Sequence, residues 1–157
     1  MKLPVALVIS TLLVSCATST PVQSCSGGGP HELSDNYKIG DCVRTPCKLK
    51  RKTDIVLEFK FTPDQDAPSI KNKVNAKIAG VPFPFIGVDG SNACSQVYFP
   101  DGSKAGCPLK AGQEYLYKNT LKVLEIYPKL KVVVHWALTA PGNRDLLCFN
   151  VPAKITS

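Results

Sequence analysis

The nine residues Ile78-Ala79-Gly80-Val81-Pro82-Phe83-Pro84-Phe85-Ile86 carry no charge and no side-chain hydrogen-bonding group. Pro82 and Pro84 each lack a backbone N–H and fix φ, which forbids a helix and leaves the stretch extended. A central strand would need both missing donors, so the segment is expected at a sheet edge or margin, with Phe83 and Phe85 turned inward. Large rings beside an incomplete ladder describe the lip of a cavity. An irregular edge strand whose rings plug its own core is the competing reading.

Outward from this stretch the chain alternates with period two. Val74, Ala76 and Ile78 oppose Lys73, Asn75 and Lys77, giving a strand that runs into the prolines. Before it, Ile55, Leu57, Phe59 and Phe61 oppose Glu58 and Lys60, and Thr62 to Ser69, with Pro63 and Pro68, is a loop. After it, Gly87 to Gly112 is irregular and includes the turn pair Asp101-Gly102. Tyr115, Tyr117, Leu121 and Val123 then share one parity, and Leu130, Val132, Val134, Trp136 and Leu138 form the clearest strand, with His135 on its polar side. Pro141-Gly142-Asn143 is a turn before a last strand that sets Leu147, Phe149, Val151 and Ile155 against Cys148. Between Cys25 and Cys47 the text is rich in Gly and Pro, and only Leu33, Tyr37 and Ile39 alternate as a weak strand. Six or seven strands without a helical period predict an all-β, two-layer antiparallel sandwich.

Lys2, the apolar run Leu3 to Val14 and the small residues Ser15 and Ala17 have the three regions of a secretory signal peptide. Cleavage is expected after Ala17, with Ser19 as second choice. Leu13-Val14-Ser15-Cys16 also matches a bacterial lipoprotein signal, in which Cys16 would be lipidated. The organisation expected is a signal peptide over 1–17 and a single domain over 18–157, secreted to an extracellular fluid. Six of the seven cysteines then remain, and an even number in a secreted chain implies three disulfides, for which fifteen pairings exist. Metal ligation is disfavoured, since there is no C-x-x-C pair and neither His31 nor His135 lies near a cysteine pair in sequence. The formal charge of +7 becomes +6 once Lys2 is removed. In a secreted protein such a balance excludes nucleic acid as the natural partner and leaves a solvated surface or transient contact with anionic membranes, for which Lys48, Lys50, Arg51 and Lys52 are the candidate cluster.

Catalysis would require a nucleophile with its base or two carboxylates in a cleft, and the sequence assembles neither. No G-x-S-x-G is present; His31 has no evident partner, His135 is on a solvent parity, and Asp35, Asp41 and Asp54 read as solvated carboxylates. No cofactor and no metal are expected.

The six cysteines, AGVPFPF (79–85), CPL (107–109), Tyr115-x-Tyr117, EIYP (125–128), VVVHW (132–136) and CFNVP (148–152), taken in order, resemble the Niemann-Pick type C2 family of secreted lipid carriers, which has the MD-2-related lipid-recognition (ML) fold. The resemblance implies an immunoglobulin-like sandwich whose sheets part to hold a sterol, a fatty acid or a semiochemical-like lipid in a protein that works as a monomer. It implies the disulfides Cys25–Cys148, Cys42–Cys47 and Cys94–Cys107. It places Phe85, Val123, Tyr127 and Pro128 at the pocket entrance, beside Val81 in the same proline string. Leu49, Ile55, Leu57, Val74, Ile78, Phe83, Leu121, Trp136 and Phe149 would line the interior. Relatives of this fold also act as lipid-presenting co-receptors, the alternative function. Departures are a longer loop between Cys94 and Cys107, Phe149 where the vertebrate carriers have tryptophan, and no N-x-S/T sequon for glycan-dependent sorting to the lysosomal lumen.

Overall fold

The computed structural model describes residues 19–25 and 36–157. The expected signal peptide with Cys16, the Gly27 to Pro30 run, His31, Leu33 and Asp35 lie outside the described residues. Among the described residues ten strands follow one another: β1 (Gln23–Ser24), β2 (Tyr37–Ile39), β3 (Cys47–Lys50), β4 (Thr53–Phe61), β5 (Lys71–Ile78), β6 (Val81–Pro84), β7 (Val97–Tyr98), β8 (Tyr115–Val123), β9 (Lys131–Ala140) and β10 (Arg144–Thr156). A short 3-10 turn covers Cys94–Gln96. β4, β5, β8, β9 and β10 are the strands read from alternation, β2 holds Tyr37 and Ile39 of the weak strand expected there, and β6 is the extended proline segment; β1, β3 and β7 are too short to carry a periodic signal.

The strands form two facing sheets. One runs β1-β10-β9-β5-β6 with β3 also on β10, and the other runs β2-β4-β8-β7. The expected antiparallel sandwich is correct with one exception, the parallel pairing of β3 with β10 from Cys47↔Ala153 to Lys50↔Thr156. At thirteen residues, β10 is long enough to hold β9 along one side while β1 and β3 share the other.

Inward parity is filled as the alternation dictates. Leu57, Phe59 and Phe61 on β4, Tyr115, Tyr117, Leu121 and Val123 on β8, Val132, Val134, Trp136 and Leu138 on β9, and Leu147, Phe149, Val151 and Ile155 on β10 are all buried. Rings from both sheets meet at the centre: Tyr37 lies 4.7 Å from Phe149, Phe59 stacks on Tyr117 at 4.6 Å, and Phe59 meets Phe149 edge-on at 5.4 Å. Each such pair adds about 0.5–1.5 kcal/mol beyond its burial, so the middle of the sandwich is a closed aromatic core.

Three disulfides form as the family resemblance implied: Cys25–Cys148, Cys42–Cys47 and Cys94–Cys107. In the chain-entropy picture the first, which ties residues 123 apart, contributes about 4.7 kcal/mol and the second, across a separation of 5, about 2 kcal/mol. No helix among the described residues is long and apolar enough to cross a membrane.

Candidate ligand-binding cleft

The site grows from the hairpin of β5 and β6. Its two-residue turn, Ala79-Gly80, has φ of 48° and 81°, the doubly positive geometry that matches strand twist in tight hairpins. Gly80 adopts it freely, whereas Ala79 pays about 1 kcal/mol for its Cβ. β6 is the last strand of its sheet, paired only with β5, so the absent N–H groups of Pro82 and Pro84 fall where the ladder can spare them. The sheet ends there, as the prolines predicted.

Beyond Pro84 the chain turns inward. The Phe85 N–H donates to the Val74 carbonyl at 3.0 Å, and the N–H groups of Val88 and Asp89 donate back to the Phe85 carbonyl at 3.2 and 3.0 Å. Asp89 Oδ1 accepts from the Val74 N–H at 2.7 Å, which clamps this turn to β5. The clamp pushes the Phe85 ring inward to 3 % exposure. Phe83 does not follow it, contrary to the expectation that both rings turn in: it remains 50 % exposed. All four residues of β6 are exposed, so parity alone does not bury a ring on a strand with no layer above it.

From the far side Tyr127, in the segment between β8 and β9, meets Phe85 at right angles with ring centroids 5.5 Å apart. Its hydroxyl accepts from the Ile86 N–H at 3.0 Å. A ring contact and a hydrogen bond thus join two segments about forty residues apart at the open end of the sandwich. Between and around them is a cleft of about 470 Å³ lined by Ala76, Ile78, Phe83, Pro84, Phe85, Ile86, Ile126, Tyr127, Pro128 and Ile155. The volume is that of a small-molecule site. No charged side chain lines it, and its one side-chain polar group is the Tyr127 hydroxyl.

Of the residues expected at the ligand, Ile78, Phe83, Phe85, Tyr127 and Pro128 meet here. Leu57, Val74, Leu121, Trp136 and Phe149 are packed in the closed core, and Val123, expected at the entrance, is buried with them. Their parity is inward, but the sheets stand in contact along their length, so inward positions become lining only where β6 gives out. Val81 is exposed on the edge strand. Leu49 and Ile55 line a different cleft of about 450 Å³, beneath the Cys42–Cys47 loop, whose rim carries Asp41, Arg44, Lys48 and Asp54. Sequence reasoning passed over Ala76, Pro84, Ile86, Ile126 and Ile155 as site residues. The available signal was Ile86 and Ile126, large apolar residues each two positions from a proline and outside any alternating run.

His135 is half-buried on the outer face of its sheet. Its Nδ1 lies 3.0 Å from Asn150 Oδ1 and 3.7 Å from Cys25 Sγ. Cys25, His135 and Cys148 cluster closely enough to resemble a ligand set, but both sulfurs are spent in the disulfide and offer no thiolate to a metal. The candidate carboxylates Asp41 and Asp54 are exposed, and Asp54 pairs with Lys122 at 3.4 Å.

The family model described as ML domain (E1_DerP2_DerF2) matches residues 19–155. The chain is 34% identical over 115 residues to NPC intracellular cholesterol transporter 2 homolog a of Drosophila melanogaster, covering 73% of each chain. It is 31% identical over 157 residues to NPC intracellular cholesterol transporter 2 of Sus scrofa, covering 99% of this chain and 98% of that one. Among solved structures it resembles a Niemann-Pick type C2 protein from the Japanese carpenter ant, with a TM-score of 0.64 and 29% identity over 77% of this chain and 89% of that chain. Sequence match, sandwich and disulfides agree, and the chain belongs to the ML-domain family, among the Niemann-Pick type C2 proteins.

Proposed function

We propose that this protein is a secreted, non-enzymatic carrier that takes a sterol, a fatty acid or a comparable semiochemical-like lipid into the Phe85–Tyr127 cleft and delivers it elsewhere. The observation that carries the reading is a cleft without a charged side chain at the one place where a proline-bearing edge strand leaves the sandwich open. A lining without carboxylate, imidazole, thiol or amine has no general acid, base or nucleophile to offer, which favours binding over catalysis. Relatives named as cholesterol transporters add support for a lipid cargo. In this reading residues 1–17 are the signal peptide and 18–157 the carrier domain, which works as a monomer.

Burial of about 400 Å² of ligand surface yields roughly 10 kcal/mol gross. Association and ordering take back several kcal/mol, which leaves affinities near micromolar. Loading and unloading would occur at membranes. Val81, Phe83, Ile86 and Ile126 are exposed apolar residues at or beside the mouth, and Lys52, paired with Glu125 at 2.7 Å, and Arg51, which donates to the Glu125 carbonyl at 2.9 Å, bring the basic cluster against the segment that carries Ile126 and Tyr127.

Native mass spectrometry of protein from its own source, with displacement of a fluorescent hydrophobic probe, tests the proposal. A lipid adduct and displacement by sterol or fatty acid are expected. A bare polypeptide mass together with no displacement by either class would refute the carrier reading.

A further inference from the structure

The outer faces of the two sheets differ in charge. On the β4–β8 sheet acids and bases alternate and pair, Glu58 with Lys118 at 3.7 Å and Asp54 with Lys122 at 3.4 Å. On the other sheet the outward parity carries Lys48 on β3, Lys154 on β10, Lys131 on β9 and Lys71, Lys73 and Lys77 on β5, all of them exposed. Among the described residues none of these lysines makes an ion pair. The one carboxylate that shares their parity on these strands is Asp145, opposite Thr139, and it accepts from the Thr139 hydroxyl at 2.8 Å.

The register concentrates the charge. Lys154 stands opposite Lys48 on one side and opposite Lys131 on the other, so three lysines occupy a single row across β3, β10 and β9. With strands about 4.8 Å apart the row is about 10 Å long, little more than a Debye length at physiological salt. Like charges directly opposite one another destabilise a sheet, and here one lysine has a like neighbour on each side. In the next row Pro152 stands opposite Val133, and Val133 opposite Lys77. An open depression of about 340 Å³ lies there among Pro46, Pro152, Val133, Lys77 and Lys131, so apolar ground is edged by ammonium groups.

Taking from the reading above only that the protein is secreted, and nothing about its cargo, we propose that this face binds a linear sulfated polysaccharide laid across the strands. Sulfates would meet Lys48, Lys154 and Lys131, and a sugar ring would rest its apolar side in the depression beside Pro152 and Val133. A permanently ionised polyanion relieves the repulsion within the row, and clustered lysines are the ordinary means of holding one. The face is less suited to a membrane. None of the large exposed apolar residues stands on β3, β5, β9 or β10, whereas Val81, Phe83, Ile86 and Ile126 are at or beside the mouth of the Phe85–Tyr127 cleft. It is equally unsuited to single-stranded nucleic acid, since these four strands expose no aromatic ring on which a base would stack.

The test uses the intact mature protein, a heparin-derived decasaccharide, the same fragment with its sulfates removed, and phosphatidylcholine vesicles containing phosphatidylserine. Isothermal titration should show binding of the sulfated fragment that weakens steeply as salt rises, and no binding of the desulfated one. Combining Lys48→Gln, Lys131→Gln and Lys154→Gln should weaken that binding about tenfold or more. Combining Lys38→Gln, Lys60→Gln and Lys122→Gln removes the same charge from exposed positions of the other sheet and should leave affinity within about twofold. The first triple variant should melt no lower than wild type, because it removes opposed like charges, and this separates lost recognition from lost folding. An equal loss in both triple variants would make the effect one of net charge and overturn the inference. So would a protein that ignores the sulfated fragment yet binds the vesicles through the same three lysines. Displacement of a hydrophobic probe by sterol, read on the same samples, decides the carrier reading separately.

Discussion

Replacing Phe85 by alanine separates a ring that forms a ligand wall from a ring that merely plugs the core. Phe85 is 3 % exposed and packs edge-on against Tyr127 at 5.5 Å, so its loss costs stability whichever role it has. The size of the loss differs between the roles. The void left at Phe85 joins the existing cleft of about 470 Å³ and admits solvent, so the cost is close to the transfer term for the ring, about 2 kcal/mol. Trp136→Ala empties a site enclosed on all sides by core and adds a cavity term, about 3–5 kcal/mol in all. At about 2–4 °C per kcal/mol for a domain of this size, Phe85→Ala should melt about 4–8 °C below wild type and Trp136→Ala clearly lower. For ligand, removal of one aromatic wall should weaken binding by about 1.5–3 kcal/mol, roughly ten- to a hundredfold. Thermal melts of both variants and probe displacement by a sterol and a fatty acid measure the two quantities. Unchanged affinity in Phe85→Ala, with a melting loss equal to that of Trp136→Ala, would refute the reasoning.

Tyr127→Phe keeps the ring against Phe85 but removes the acceptor for the Ile86 N–H, so stopped-flow release of a bound probe should accelerate about three- to tenfold, while equilibrium stability falls by about 1 kcal/mol or less. Tyr117, whose pKa burial raises above its ordinary value of 10.0, binds its proton more tightly folded than unfolded. Its contribution to stability is therefore fully present below pH about 10 and is lost as pH rises above that; chemical denaturation at alkaline pH should give a shallower decline in Tyr117→Phe than in wild type. Exchange of Cys25 and Cys148 for serine opens the constraint across 123 residues and should cost up to about 4.7 kcal/mol, against about 2 kcal/mol for the Cys42–Cys47 pair, as measured by denaturant unfolding. Transfer of a fluorescent sterol to vesicles should accelerate with anionic lipid and slow as salt shortens the Debye length to about 8 Å near physiological strength; equal rates to neutral and anionic vesicles would remove the role of the basic cluster.

Period-two alternation made β4, β5, β8, β9 and β10 legible, since each strand has one face against a shared core and a one-residue slip would expose it. Pro82 and Pro84 announced the sheet edge for the same reason that β6 occupies it: a residue without an N–H is tolerated only where nothing needs the donor. The parallel seating of β3 on β10 left no trace in the text, because β3 is four residues long and its partner lies about a hundred residues away. Alternation reports which side a residue faces and not how far apart the layers stand. The resemblance set Val123 at the entrance and Trp136 and Phe149 in the lining, and in the structure all three are buried in the core. Phe83 and Phe85 share a parity and part company because the chain turns at Pro84, where backbone hydrogen bonds to Val74 and from Val88 and Asp89 take over from the strand. Asn72 was invisible as a buried residue, since its position is justified by partners distant in sequence, the Tyr117 hydroxyl from the other sheet and the Ser91 hydroxyl.

A crystal structure with a bound sterol or fatty acid tests the site most directly, because the molecule offers two clefts of nearly equal size and opposite character. The apolar one of about 470 Å³ joins Phe85 to Tyr127, and the charged-rimmed one of about 450 Å³ lies between Leu49, Ile55 and the Cys42–Cys47 loop. Ligand density against Phe85, Ile126 and Tyr127, with the second cleft empty, is the predicted result. Ligand seated on Leu49 and Ile55 with the Phe85–Tyr127 contact unchanged would contradict it.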